Sequence, residues 1–200
     1  MADEKSKNTI ADYVGDMVAL QDHIEEALDH QLEMTKGSST AAGVVQQFHD
    51  MCKRNRDELK QHQQQVGTTA GNPIIDVGAT LLGKAAGLVD KVRAEGVSKA
   101  LRDDYTAFNH VCIGYTMLNV TALALGDKAT GDISGRHLED YAGAVQKINH
   151  VMGDVVIEEL RNDDHTITNP GAAAENRKVV DRAWQESKDQ GSAKMSGSSL

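Results

Sequence analysis

The sequence predicts an all-α protein built as a four-helix bundle with one long crossover and a helical tail. Four stretches carry apolar residues at alternating steps of three and four, which is the spacing of one face of a helix. Short turns join the first stretch to the second and the third to the fourth, whereas a long segment, residues 68–97, separates the two pairs. We therefore expect an N-terminal tail over residues 1–8, the bundle over residues 9–165 and a C-terminal extension over residues 166–200.

The first predicted helix runs from about Thr9 to Lys36, where a glycine provides a left-handed stop. Its stripe consists of Ile10, Tyr13, Met17, Leu20, Ile24, Ala27, Gln31 and Met34. The second helix follows a serine cap at residues 38–39 and stops at Gly67. Its stripe consists of Val45, Phe48, Cys52, Asn55, Leu59, His62 and Val66.

The crossover carries an apolar run interrupted by glycines, which predicts a short helix within a long connection. A helix of this kind could lie on a membrane surface, but such helices usually have a cation-rich polar face. The mixed charge of the segment favours packing across the bundle. Its apolar residues are Ile74, Ile75, Val77, Leu81, Leu82, Leu88, Val89 and Val92.

The third predicted helix runs from about Ser98 to Leu125, and the fourth runs from about Ser134 to Leu160 after a polar turn. The third stripe consists of Leu101, Tyr105, Phe108, Cys112, Tyr115, Leu118, Ala122 and Leu125, and the fourth of Leu138, Tyr141, Val145, Ile148, Met152 and Val155 or Val156. The extension is predicted to hold a short helix at residues 172–188 and a flexible polar end. It contains the only tryptophan, Trp184, which we expect to dock on the bundle in preference to anchoring a partner.

Composition argues against several classes of function. The formal net charge of -9 opposes binding to nucleic acid or to an anionic membrane, because such binding depends on Lys and Arg. No apolar run approaches the roughly 20 residues that a membrane helix requires, and the first residues lack the profile of a signal peptide. We therefore expect a cytoplasmic protein.

The two cysteines are predicted to be buried thiols. Cys52 and Cys112 fall on or beside apolar helix faces, which favours this interpretation over a secretory disulfide framework. His49 lies three residues before Cys52 and could contact it as a base, but buried cysteine is more often unreactive.

Two parts of the sequence resemble a known family. Residues 107–127 read AFNHVCIGYTMLNVTALALGD, residues 137–159 read HLEDYAGAVQKINHVMGDVVIEE, and the first helix contains DMVALQ at residues 16–21. These stretches resemble ferritin-like proteins of the YciE and YciF type, and the resemblance covers most of residues 9–160. It implies a ferritin-like four-helix bundle and a role in the stress response.

The resemblance also implies a degenerate di-iron site. The family has a Glu in the first helix, and in the third helix a Glu beside a His with another Glu one turn later. The matching residues here are Gln21, Asn109, His110 and Cys112. A di-iron carboxylate site draws Glu from two helices and Glu-x-x-His from two more, and this sequence contains no Glu-x-x-His.

Two candidate metal sites stay open as alternatives to a hydrogen-bonded interior without a cofactor, which we favour. His23, Glu26 and His30 are spaced three and four apart on the first helix and could bind zinc, although an acidic solvated face is the favoured interpretation. An unusual set of ligands for iron or zinc could instead come from Gln21, Asp50, Glu58, His62, Asp104 and His110.

The leading hypothesis is therefore a non-catalytic, stress-associated ferritin-like protein that acts through self-assembly or partner binding. We expect a homo-oligomer, a dimer or larger, and the tail with Trp184 is a candidate binding segment for a protein partner. The alternative is a metal-binding ferritin-like oxidoreductase or iron-handling protein that uses iron or zinc.

Overall fold

The computed structural model describes residues 4–67 and 96–196, with side chains as far as residue 185. Within these ranges the chain forms five α-helices and no strand, which confirms the all-α class, and no helix there is long and apolar enough to cross a membrane. The short helix predicted in the crossover lies outside the described residues, as do residues 1–3 and 197–200. The helices are α1 (Glu4–Thr35), α2 (Ala42–Val66), α3 (Val97–Ala124), α4 (Lys128–Asn162) and α5 (Ala172–Ser196).

Two of the bundle helices begin earlier than predicted. α1 begins at Glu4, so residues 4–8 are helical and do not form a tail. α4 begins at Lys128, because the Asp127 side chain accepts a hydrogen bond from the backbone N–H of Thr130 at 3.1 Å and caps the helix. The segment that was predicted as a polar turn is therefore the first part of α4.

The helices α1 to α4 enclose one hydrophobic core. α1 and α4 each pack against both α2 and α3, so α1 faces α4 across the core. Every neighbouring pair is antiparallel, because contact positions that rise along one helix fall along the other. α1 contacts α2 through Asp29–His49 and Asp22–Lys60, and it contacts α3 through Gln31–Asp104 and Gln21–Tyr115. α4 contacts α2 through His62–Thr130 and Arg54–Asp140, and it contacts α3 through Asn119–Gly131 and Ser98–Glu159.

The end of α2 and the start of α3 lie at opposite ends of the bundle. The last turns of α2 lie beside the start of α4, where His62 contacts Thr130. The start of α3 lies beside the end of α4, where Ser98 contacts Glu159. The four helices therefore run up, down, down and up in chain order, and the chain passes from one end of the bundle to the other between α2 and α3.

Two adjacent glutamates near the end of α4 cap the helices on either side of it. Glu158 accepts hydrogen bonds from the backbone N–H groups of Ser39 and Thr40, at 2.7 and 3.1 Å, at the entrance to α2. Glu159 accepts one from the N–H of Ser98, at 2.8 Å, in the first turn of α3. The first N–H groups of a helix have no partner within it, so Glu159 satisfies a donor of α3 that would otherwise be unpaired, while Glu158 holds the turn that precedes α2. Hydrogen bonds, first of all from Thr40, lower the pKa of Glu158 to about 2.

The buried seam of α1 is displaced from the predicted stripe. Four of the eight predicted stripe residues, Ile10, Met17, Ile24 and Gln31, are buried as expected. At the other four positions, the buried residue is the one that follows the predicted residue in the sequence. This displacement brings Gln21 into the core, where its side chain has no exposed surface. The buried seam consists of Ile10, Val14, Met17, Gln21, Ile24, Leu28, Gln31 and Thr35.

The tail helix α5 packs against α4. At Gly153 of α4 an added Cβ would lie 3.3 Å from the Cα of Ala173, so the two helices approach closely there. Arg177 forms an ion pair with Asp154 beside this contact. α5 continues to Ser196, beyond its predicted end at residue 188. Trp184, which we expected to dock on the bundle, is 39% exposed.

Candidate functional site

Polar side chains from all four bundle helices meet inside the core. The interior polar cluster consists of Gln21 of α1, Cys52 and Glu58 of α2, Tyr115 of α3, and His137 and Tyr141 of α4. All are buried except Glu58, whose side chain is 39% exposed. Aromatic packing holds the cluster in place: the Tyr115 ring centroid lies 5.2 Å from that of His137 and 6.1 Å from that of Tyr141.

One chain of hydrogen bonds crosses the cluster from the core to the surface. The side-chain amide of Gln21 donates to the hydroxyl of Tyr115. His137 lies between Tyr115 and Glu58, with its Nδ1 2.9 Å from the tyrosine oxygen and its Nε2 3.0 Å from a carboxylate oxygen. The other oxygen of Glu58 pairs with Arg136. The outer end of the chain is therefore a carboxylate held between two groups of α4.

The protonation state of His137 fixes the direction of this chain. Burial lowers the pKa of His137 below 6.5, against the opposing effect of Glu58, so the ring is neutral near neutral pH. A carboxylate only accepts hydrogen bonds, which assigns the single ring N–H to Nε2 and leaves Nδ1 to accept from Tyr115. Burial raises the pKa of Tyr115 well above 10, so its hydroxyl keeps the proton that it donates. Each donor thus points from Gln21 towards Glu58.

Cys52 and Tyr141 complete the cluster beside Gln21. The Tyr141 hydroxyl donates to the Cys52 sulfur at 3.2 Å, and that sulfur lies 3.6 Å from the backbone oxygen of Gln21. Burial raises the pKa of Cys52 to about 11, which keeps it a thiol. His49 contacts Asp29 at 2.9 Å, so its ring is directed towards α1. This environment does not activate Cys52 as a nucleophile.

The predicted burial of both thiols is confirmed for Cys52 only. Cys52 is fully buried, whereas Cys112 is partly exposed, and both are free. The difference follows from the helix face, because Cys112 lies beside the buried position Val111 of α3.

A second buried polar pair joins α1 to α3. The Gln31 amide donates to Oδ1 of Asp104 at 2.7 Å, while Oε1 of Gln31 and Oδ2 of Asp104 are buried without a partner. Burial raises the pKa of Asp104 from 3.8 to about 7. A proton on Oδ2 of Asp104 removes the negative charge from a buried carboxyl group that has one hydrogen-bond donor, Gln31. The neutral acid therefore suits this site better than the carboxylate does.

The six candidate ligands predicted from the sequence lie in several environments. Gln21 and Glu58 are the two ends of the hydrogen-bonded chain, and Asp104 pairs with Gln31 as described above. Nε2 of His62 lies 2.7 Å from the hydroxyl oxygen of Thr130. Asp50 and His110 are exposed on α2 and α3, and the alternative set His23, Glu26 and His30 is exposed on α1.

His, Cys, Asp and Glu side chains are common ligands of protein-bound metal ions. Within the part of the chain that the structure describes, no three of them are placed so that they could hold a metal ion.

The residue that faces Gln21 from α3 is Tyr115. The family resemblance pointed instead to Asn109, His110 and Cys112, of which the first two are exposed and the third is partly buried. His137 was missed by the sequence reasoning, although a signal for it exists. Heptad steps taken backwards from Tyr141 pass through His137, Ser134 and Thr130, all of which are buried. The stripe was drawn from apolar residues and therefore stopped before this polar section.

Comparison of the chain with models of known protein families found no match. Comparisons with curated proteins and with solved structures also found none.

Proposed function

We propose that this chain is a non-catalytic, ferritin-like bundle protein that acts by associating with other protein chains. The observation that carries the proposal is the interior polar cluster. Neutral side chains and a single surface-reaching carboxylate, joined by hydrogen bonds, occupy the part of the core where a ferritin-like bundle gathers its metal ligands. In this proposal the protein keeps the ferritin-like bundle, and contacts between side chains take the place of metal ligands in its interior.

Two features support the ferritin-like architecture. Antiparallel neighbours, with one connection between opposite ends of the bundle, match the helix order of ferritin-like folds. Those folds take one Glu from each of two helices and a Glu-x-x-His motif from each of the other two. The corresponding residues are Gln21 on α1 and Tyr115 on α3, with pairs at i, i+3 formed by Asn55 and Glu58 on α2 and by Ser134 and His137 on α4.

The donor set in this interior does not fit a di-iron centre. Two iron ions require several carboxylate oxygens, and Glu58 is the one carboxylate of the cluster. Glu58 is already paired with Arg136 and His137. Asp104 is paired with Gln31 and is protonated more readily because of its burial. The interior therefore lacks the negative charge that would offset two metal ions.

The stress association rests on the resemblance to the YciE and YciF type. It predicts that the abundance of the chain rises when its cell is exposed to stress. The tail offers a candidate surface for a protein partner, because Trp184 is exposed on α5. Replacement of Trp184 by Ser should then abolish co-purification of a partner that binds through the tail and should leave the helicity of the bundle unchanged.

Metal analysis tests the proposal against its alternative. Protein produced in medium supplied with iron or zinc should contain less than about 0.1 metal ion per chain, because the interior offers too few charged ligands. Its midpoint of thermal unfolding should be the same with and without a chelator, since a metal bound to the native state would raise it.

Three variants locate the site if metal is found. Stoichiometric metal that is lost when Glu58 or His137 is replaced by Gln would refute the proposal in favour of a metal-binding oxidoreductase or iron-handling protein. Metal that is lost only when His23 and His30 are both replaced by Gln would belong to the surface of α1. Each replacement by Gln keeps a hydrogen-bonding side chain, so the folds of the three variants and the wild type can be compared by circular dichroism.

A further inference from the structure

The outer face of α3 is unusual because it carries no charge. Between Asp104 and Asp127 the sequence has no Asp, Glu, Lys or Arg, although 26% of the chain is charged. Four large apolar side chains are exposed there: Ile113 (54%), Met117 (49%), Val120 (60%) and Leu123 (59%). Thr116 and Ala124 are exposed among them. We call these six residues the α3 outer face.

The α3 outer face is large enough to be an interaction surface. Four large side chains that are about half exposed present on the order of 400 Å² of apolar surface, which is about the size of the largest apolar patch on a typical monomer, and such a patch is often functional. The exposed positions without Asp, Glu, Lys or Arg begin at Thr106 and end at Ala124, which is about 27 Å along the helix at 1.5 Å per residue. A strip of this length suits contact with another helix.

The absence of charge indicates which partner this face accepts. Each chain has a formal net charge of -9, so two copies repel one another and associate best through a helix face without charged residues; beside this face, Lys5 of α1 lines a groove with Val120 and Ala124. In a two-fold contact the same patch is used on both sides, so a charged residue near the axis would meet its own like charge. A partner recognised by charge would instead require charged residues on the face. We propose that the α3 outer face binds the α3 outer face of a second copy, with the two helices antiparallel about a two-fold axis.

This proposal rests on the proposed function and specifies the surface through which the bundle assembles. The centre of the face lies near residue 118, so the axis passes close to it. Met117 of one copy then packs beside Val120 of the other, and Ile113 of one copy lies opposite Leu123 of the other. The two Met117 side chains lie close to the axis and to each other.

A matched pair of variants tests the surface. Val120→Glu places a charge on the α3 outer face, and Val179→Glu places the same charge on α5, where the valine is 50% exposed. Wild-type protein and Val179→Glu should be dimers by light scattering and sedimentation. Val120→Glu should be monomeric at the same concentration, with a dissociation constant raised more than about tenfold, because each dimer would bury two like charges. Circular dichroism should show equal helicity for all three.

Cross-linking tests the geometry without a destabilising charge. In a Cys112→Ser background, Met117→Cys should form a covalent dimer under mild oxidation, whereas Val179→Cys should not. If Val120→Glu is still a dimer and Met117→Cys forms no cross-link, the α3 outer face is not the dimer interface, although the chain still self-associates. If the wild-type protein is monomeric and Val120→Glu lowers its thermal stability, the proposal is refuted. The α3 outer face is then covered by residues of the same chain and not by a second copy. Stoichiometric metal in the interior would instead count against the proposed function itself.

Discussion

Replacement of Asp104 by Asn is expected to remove a large pH dependence from the stability of the bundle. The carboxyl of Asp104 accepts the amide N–H of Gln31, and its second oxygen lies buried without a partner. An asparagine side chain is neutral at every pH, and its amide oxygen can still accept the N–H of Gln31. It therefore imitates the protonated aspartic acid but has no proton to lose.

The expected magnitude follows from the raised pKa. Burial raises the pKa of Asp104 from 3.8 to about 7, so within this range the folded chain holds a proton that the unfolded chain has released. Stability conferred by the protonated form is complete below the unfolded pKa and is lost as the pH rises through the folded one. At about 1.4 kcal/mol per pH unit, the wild type should lose about 4 kcal/mol across this window relative to Asp104→Asn. Above about pH 7 the difference between the two proteins should stay constant.

Urea unfolding followed by circular dichroism, repeated at intervals from about pH 4 to pH 8, measures this difference directly. Asp57→Asn is the control, because it removes an aspartate whose side chain is 56% exposed on α2. Stability curves of wild type and Asp104→Asn that run parallel across the whole range would refute the argument. A variant less stable than the wild type at pH 8 would also refute it, because the ionised carboxylate would then be the better fit to the site.

Three further predictions concern the thiols, the tail and the capping glutamate. Cys112 should be labelled by a thiol reagent in the folded protein, whereas Cys52, buried and with its pKa raised to about 11, should be labelled only after unfolding; equal labelling rates by mass spectrometry would contradict this. Gly153→Leu should detach α5 from α4, since even a Cβ there lies 3.3 Å from the backbone of Ala173, and limited proteolysis should then cut between the two helices faster than in the wild type. Glu158→Gln should lessen the loss of stability in acid, because the charged form of Glu158 stabilises the fold above pH 4.5 and this contribution disappears as the pH falls towards about 2. Thermal unfolding of both proteins over this pH range measures the effect, and an equal loss of stability in the wild type and the variant would contradict the capping argument.

The helices could be predicted from apolar spacing, but the seam of α1 could not be fixed in this way. The series with Tyr13, Leu20 and Met34 and the series with Val14, Gln21 and Thr35 both follow heptad spacing. The first series is the more apolar, and burial of a polar side chain without a partner is unfavourable. The partner of Gln21 is Tyr115, which lies 94 positions away on another helix. The spacing within one helix carries no information about such a partner.

The same reason explains how much of the interior polar cluster could be predicted. Gln21 and Glu58 were named from the resemblance and from spacing, whereas His137 was not, since it stands in a polar part of α4 and its partner Glu58 is 79 positions away. Asp104 was named as a candidate ligand, but its raised pKa depends on burial against α1 and could not be read from its neighbours in sequence. The candidate residues could be chosen from the sequence by residue type. Their protonation states depend on how the four helices pack and could not be predicted from it.

The antiparallel arrangement of all neighbouring helices also sets the electric field inside the bundle. Each helix has partial positive charge at its first turn and partial negative charge at its last. Around the ring formed by α1, α2, α4 and α3 these charges alternate in sign at both ends, so the fields of neighbouring helices oppose one another. The interior polar cluster therefore experiences little net field from the backbone, and burial and direct partners control the ionisation of His137.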